Sequence, residues 1–154
     1  MKNKKNKKTR TFLYFNKKNL NNRTYTEDSI DENIINDYKL KIENKTALGE
    51  LLHTDKNNLV ERNDFGSIAL KYVSHKITKI KVFKSKIKGE IEILATPSGK
   101  ILSELIDKDY VVIRPRCIGH VDENGIAKVT DIISFDAVDA SNDSFINIRK
   151  RVDE

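Results

Sequence analysis

Alternation is the most regular pattern in the chain. Ile80 and Val82 interleave with Lys79 and Lys81, and Ile91 and Ile93 interleave with Glu90 and Glu92. A period of two marks strands with one buried face, and Ser85 to Gly89 supplies the turn between them. Lys/Glu pairing across the outer face is expected. A different period governs the earlier segment, where Ile30, Ile34, Tyr38 and Ile42 recur at every fourth position. That spacing predicts a surface helix with one apolar stripe. Thr26 can cap it, with Glu27 and Asp28 at its electropositive end. Thr96-Pro97 predicts a second helix, a capping hydroxyl followed by proline in the first helical position. Its buried stripe would be Ile101, Leu102, Leu105 and Ile106, ending at Asp107 to Asp109.

Shorter strands are expected at Thr11 to Asn16, Ala47 to His53, Tyr110 to Ile113 and Cys117 to Val121, with one or two more between Ile126 and Val138. Ile68 to Val73 fits strand or helix. Pro115 argues against regular central pairing, and Asn124-Gly125 is a turn signal suited to left-handed backbone angles. Many short strands plus two helices predict an α+β fold, a β-barrel-like domain flanked by helices.

Charge changes this picture at one end. Net charge is +6, and the first ten residues carry six basic side chains (Lys2, Lys4, Lys5, Lys7, Lys8 and Arg10) and no acidic one. The remainder balances at 23 basic and 23 acidic residues. A disordered basic tail is therefore expected over residues 1–10, a domain over 11–140, and a polar C-terminal tail over 141–154. The tail could neutralise packaged DNA, meet an acidic surface on a protein partner, or aid solubility. The single cysteine, Cys117, excludes an intrachain disulfide framework and fits a reducing compartment. The Lys/Asn run lacks the apolar core of a signal peptide, and no apolar run approaches the roughly 20 residues that span a bilayer. A soluble protein without membrane contact is expected, in the cell or in a particle assembled there.

Four segments, in order, resemble the prohead maturation proteases of tailed phages. They are Asn19-Leu-Asn-Asn-Arg-Thr-Tyr25, Leu48-Gly-Glu-Leu-Leu-His53, Ile93-Leu-Ala-Thr-Pro-Ser-Gly-Lys-Ile101, and Arg116-Cys-Ile-Gly119 followed by Phe135-Asp-Ala-Val138. The resemblance implies a β-barrel with flanking helices, akin to the herpesvirus assemblin proteases, and a serine endopeptidase ancestry. It places His53 at the family's catalytic histidine. It places Arg114 at the nucleophilic serine and Lys86 near the acidic member of the triad. A guanidinium cannot attack a carbonyl, and a lysine reverses the acid's charge.

Other chemistry is thin. Ser74 and His75 are neighbours on a strand and should face opposite ways. Cys117 and His120 are likewise offset, and three scattered histidines show no metal-ligand spacing, so no metal and no cofactor are expected. The expected function is therefore that of a catalytically inactive, capsid-associated assembly component of a phage head. Its partners would be the major capsid protein or the scaffold, and self-association into a homo-oligomer is left open. Two alternatives remain: an active maturation protease, and an internal head protein touching packaged DNA through Lys2, Lys4, Lys5, Lys7, Lys8 and Arg10.

Overall fold

A computed structural model describes residues 6–18, 23–51 and 67–142, and among these residues the chain forms six strands and two α-helices. In chain order they are β1 (Lys7–Tyr14), α1 (Glu32–Glu43), β2 (Leu48–Glu50), β3 (Val73–Val82), β4 (Lys86–Ile93), α2 (Pro97–Ile106), β5 (Val111–Val121) and β6 (Ala127–Asp139). All strand pairings are antiparallel: a four-stranded sheet in the order β1-β4-β3-β2, and a long β5-β6 ribbon.

Local signals act in part as expected, although Ile101, expected in the buried stripe of the second helix, is exposed. Thr96 Oγ1 accepts from Gly99 N at 2.9 Å with Pro97 opening α2, and Leu102 and Ile106 are buried beneath it. Thr26 caps a short 3-10 turn, Glu27–Ser29, rather than α1 itself, and Asp31 is the cap residue of α1. Ile35 and Tyr38 are the buried residues of α1. The Asn124-Gly125 turn joins β5 to β6, with Gly125 at φ 81°.

Bulges are where simple alternation fails. In β1 the register shifts between Thr11 and Leu13, which lets the consecutive residues Phe12 and Leu13 both enter the core. A second shift in β3, between Ile77 and Lys79, lets Ile77 and Ile80 both be buried, and Val82, on the same face as Ile80 but at the hairpin tip, is exposed. Phe135 on β6 is the hub of the core: its ring lies 4.7 Å from Phe12 and 5.1 Å, edge-on, from Tyr38. Helix α1 packs on β3 and β6, and α2 on β3, β4 and β5.

Three expectations need correction. The two sheets do not form a closed barrel among the described residues. They meet through a single bridge, Leu51 to Ala137, at one seam, and through Arg114 Nη1 donating to Thr11 O at 2.9 Å at the other. Pro115 does not divide two strands; β5 runs through it, opposite Phe135. It is tolerated because β5 has a ladder on one side only, so a missing N–H can point to the open edge. The 10/11 boundary between tail and domain falls inside β1, which begins at Lys7. Lys8 and Arg10 are drawn into structure by Asp107 at the end of α2, at 2.9 and 3.8 Å, a partner about a hundred residues away.

Candidate functional site

Two of the four segments that carry the family resemblance, the second and the two-part fourth, converge on one buried cluster. Glu50 from β2, Arg116 from β5 and Asp136 from β6 are each at most 5% exposed. Arg116 Nη2 donates to Glu50 Oε2 at 2.8 Å, and its Nε to Asp136 Oδ2 at 2.9 Å. Ser134 Oγ donates to Asp136 Oδ1 at 2.8 Å, and Glu50 N to the same oxygen at 3.0 Å. The cluster also secures the chain that follows β2: Arg116 Nη1 donates to Ser67 O and Ala69 N donates to Glu50 Oε2. Two carboxylates around one guanidinium is an expensive arrangement away from water. Burial accordingly holds the Asp136 carboxyl above its usual range, against the opposing pull of Arg116 and the Glu50 N–H.

A second buried pair adjoins it. Ser74 and His75 are both fully buried, and Ser74 Oγ lies 2.7 Å from His75 Nδ1. The expectation that these neighbours face apart is therefore wrong, and the physical reason lies in tertiary contacts. His75 Nε2 is 2.8 Å from Phe135 O, which can only accept, so Nε2 carries the proton. Burial lowers the imidazole from 6.5 to about 4, so it is neutral, and Nδ1 accepts from the serine hydroxyl. Gly49 makes this possible: a Cβ there would collide with the His75 ring and with Phe135 O. The pair has the elements of a nucleophile and base, but no solvent reaches either side chain. Close by, the Tyr38 hydroxyl is buried without a hydrogen-bond partner among the described residues, its pKa raised by burial and then by Asp136. Burial also pushes the half-buried Cys117 thiol up to about 12, so it is a poor nucleophile, and His120 lies exposed on the same strand.

The positions matched to a catalytic serine and acid meet elsewhere, around Tyr14. Arg114 lies with its guanidinium 5.7 Å from the Tyr14 ring centroid and also donates to Ile113 O at 2.8 Å. Lys86, the first residue of β4, is the register partner of Tyr14, and Lys17 Nζ sits 4.8 Å over the same ring. The site is thus cationic, suited to holding anionic groups and backbone carbonyls at the open β1–β5 seam. His53 lies outside the described residues, as do Lys2, Lys4 and Lys5. Lys7, Lys8 and Arg10 belong to β1. Among the described residues no group of three or more His, Cys, Asp or Glu side chains is placed to hold a metal ion. None of their helices is long and apolar enough to cross a membrane.

The buried cluster was missed as a unit, although Glu50, Arg116 and Asp136 each lay within a motif already singled out. The shared motif positions were the available signal, and only the fold reveals that they touch.

No family model matches the sequence, and no curated protein matches it either. A solved structure does: the capsid assembly protease gp21 of bacteriophage T4, with a TM-score of 0.67 at 18% identity over 86% of this chain and 80% of that one. This corrects the expectation, drawn from Arg114 and Lys86, that the protein is not an enzyme. Its fold is similar to that of a protease, which points against that expectation. The domain, with its two helices and antiparallel sheets, has a fold like that of a phage prohead protease.

Proposed function

We propose that this protein works in the assembly of a tailed-phage head, engaging the major capsid protein or the scaffold through its prohead-protease-like domain. The observation that carries the reading is the likeness of nearly the whole described fold to a capsid assembly protease. The convergence of Glu50, Arg116 and Asp136 supports it, because residues that lie within two of the segments carrying the family resemblance form a single structural unit.

The open seam between β1 and β5 suits an extended polypeptide. Arg114 spans the seam beside Tyr14. A segment of capsid or scaffold chain lying there would meet the cations of Arg114, Lys17 and Lys86. The place of action is then the assembling head.

The test is to assemble heads from precursor capsid and scaffold proteins with the full chain present, sediment them, and map cross-links and fragments by mass spectrometry. Co-sedimentation, with cross-links from the β1–β5 seam to capsid or scaffold, is expected. Absence of the chain from heads and from every cross-link would overturn the proposal. The fragment map separates the two ways of acting: precursor cleavage lost on His53→Ala identifies a peptidase step, and intact precursors identify action by binding.

A further inference from the structure

Among the described residues, a cluster of unanswered positive charge lies at the opposite end of the first strand from the N-terminal cations. Between Val73 and Gly89 the sequence has six lysines and no acidic residue. Toward the base of that hairpin the charge is answered: Lys76 pairs with Glu92 at 3.8 Å, and Lys79 is in register with Glu90. Toward the tip it is not. Lys81 stands directly across from Lys88, and Lys84 and Lys86 follow the turn; none of these four makes an ion pair among the described residues. Like charges paired across a ladder disfavour the folded state, so the arrangement costs stability unless an anion occupies it. Two aromatic rings flank the lysines. Phe83 is 39% exposed at the tip, with Lys81 Nζ 5.3 Å from its centroid, and Tyr14 is the register partner of Lys86.

We propose that the β3–β4 hairpin tip, with Lys81, Phe83, Lys84, Lys86 and Lys88, is a binding surface for single-stranded nucleic acid. The alternating cations would meet phosphates, and the exposed Phe83 ring would accept an unstacked base. A nucleotide supplies both a planar face and an adjacent anion, and the Phe83–Lys81 pair offers a counterpart to each. An acidic peptide would satisfy the lysines but leave the ring without a partner. The basic residues of β1 are a weaker candidate, since Lys8 and Arg10 are already occupied by Asp107.

The experiment is fluorescence anisotropy of a labelled oligothymidylate of about 16 nucleotides with the full chain, from about 50 to about 200 mM salt. Four engaged lysines give a log–log salt slope of roughly −3 for a single strand. Lys81→Glu with Lys84→Glu should weaken binding at least about tenfold and about halve the slope. Its thermal midpoint should be unchanged or raised, since Lys81 no longer opposes Lys88. Phe83→Ala should weaken single-strand binding about tenfold and leave duplex binding unchanged. Three results would overturn the proposal. They are no binding at the lowest salt, tighter competition by polyglutamate than by the oligonucleotide at equal charge, and loss of binding on Lys2, Lys4 and Lys5→Ala with the hairpin variant unaffected. The second of these would point to an acidic protein partner.

Discussion

Replacing Arg116 with methionine is the most telling perturbation of the buried cluster. The guanidinium is almost completely enclosed and serves four acceptors: Glu50, Asp136, Ser134 and the Ser67 carbonyl. Methionine fills much of the same volume and can donate to none of them. Glu50 would keep Ala69 N, and Asp136 would keep Glu50 N and the Ser134 hydroxyl, but both buried carboxylates would lose the guanidinium between them. Breaking a buried pair from one side costs about 3–5 kcal/mol, a large part of the 5–15 kcal/mol that holds a typical domain folded. In a chain of this size about 1 kcal/mol moves the midpoint by roughly 2–4 °C, so a fall on the order of 10 °C is expected. Thermal unfolding followed by circular dichroism measures it, and urea unfolding gives the free energy, since the chain has no tryptophan to report. The triple change Arg116→Met, Glu50→Gln, Asp136→Asn should recover much of the loss, because what destabilises the single variant is stranded charge rather than missing contacts. A single variant less than about 1 kcal/mol below the parent, or a triple variant no more stable than the single, would refute the account of the cluster as one charge-balanced unit.

Two further outcomes follow from the neighbouring pair. His75 is neutral in the fold, lowered from 6.5 to about 4, so between those values the unfolded chain binds the extra proton. Stability is then full above pH 6.5 and falls as pH drops toward 4, by about 3 kcal/mol in all; His75→Gln should flatten that part of a urea-midpoint profile, and an unchanged profile would count against the buried neutral imidazole. Gly49→Ala should destabilise by about 1–3 kcal/mol, because the added methyl meets His75 and the Phe135 carbonyl, and a structure of the variant should show the His75–Phe135 hydrogen bond lengthened or lost.

Much of the secondary structure was legible from residues close together in the chain. The Thr96-Pro97 start of α2, the Asn124-Gly125 turn and the Ile/Glu alternation of β4 depend on neighbours two to four positions apart, and sequence displays such neighbours directly. The segments that resemble prohead proteases also contain Glu50, in the second, and Arg116 and Asp136, in the fourth, and the fold is like that of a phage prohead protease. Tertiary structure alone decided what those residues do together, because they come from three strands and the cluster exists only once β2, β5 and β6 meet. The same holds for the N-terminal cations. A run of lysines reads as a solvated tail until Asp107, from the far end of α2, supplies the counter-charge and β4 supplies the ladder that turns Lys7 to Arg10 into strand. Bulges at Phe12 and Thr78 shift the residues that follow to the other face, so alternation could not say that Phe12 and Leu13, or Ile77 and Ile80, would both be buried. Local preference set the elements, and long-range pairing of charge and backbone set the site.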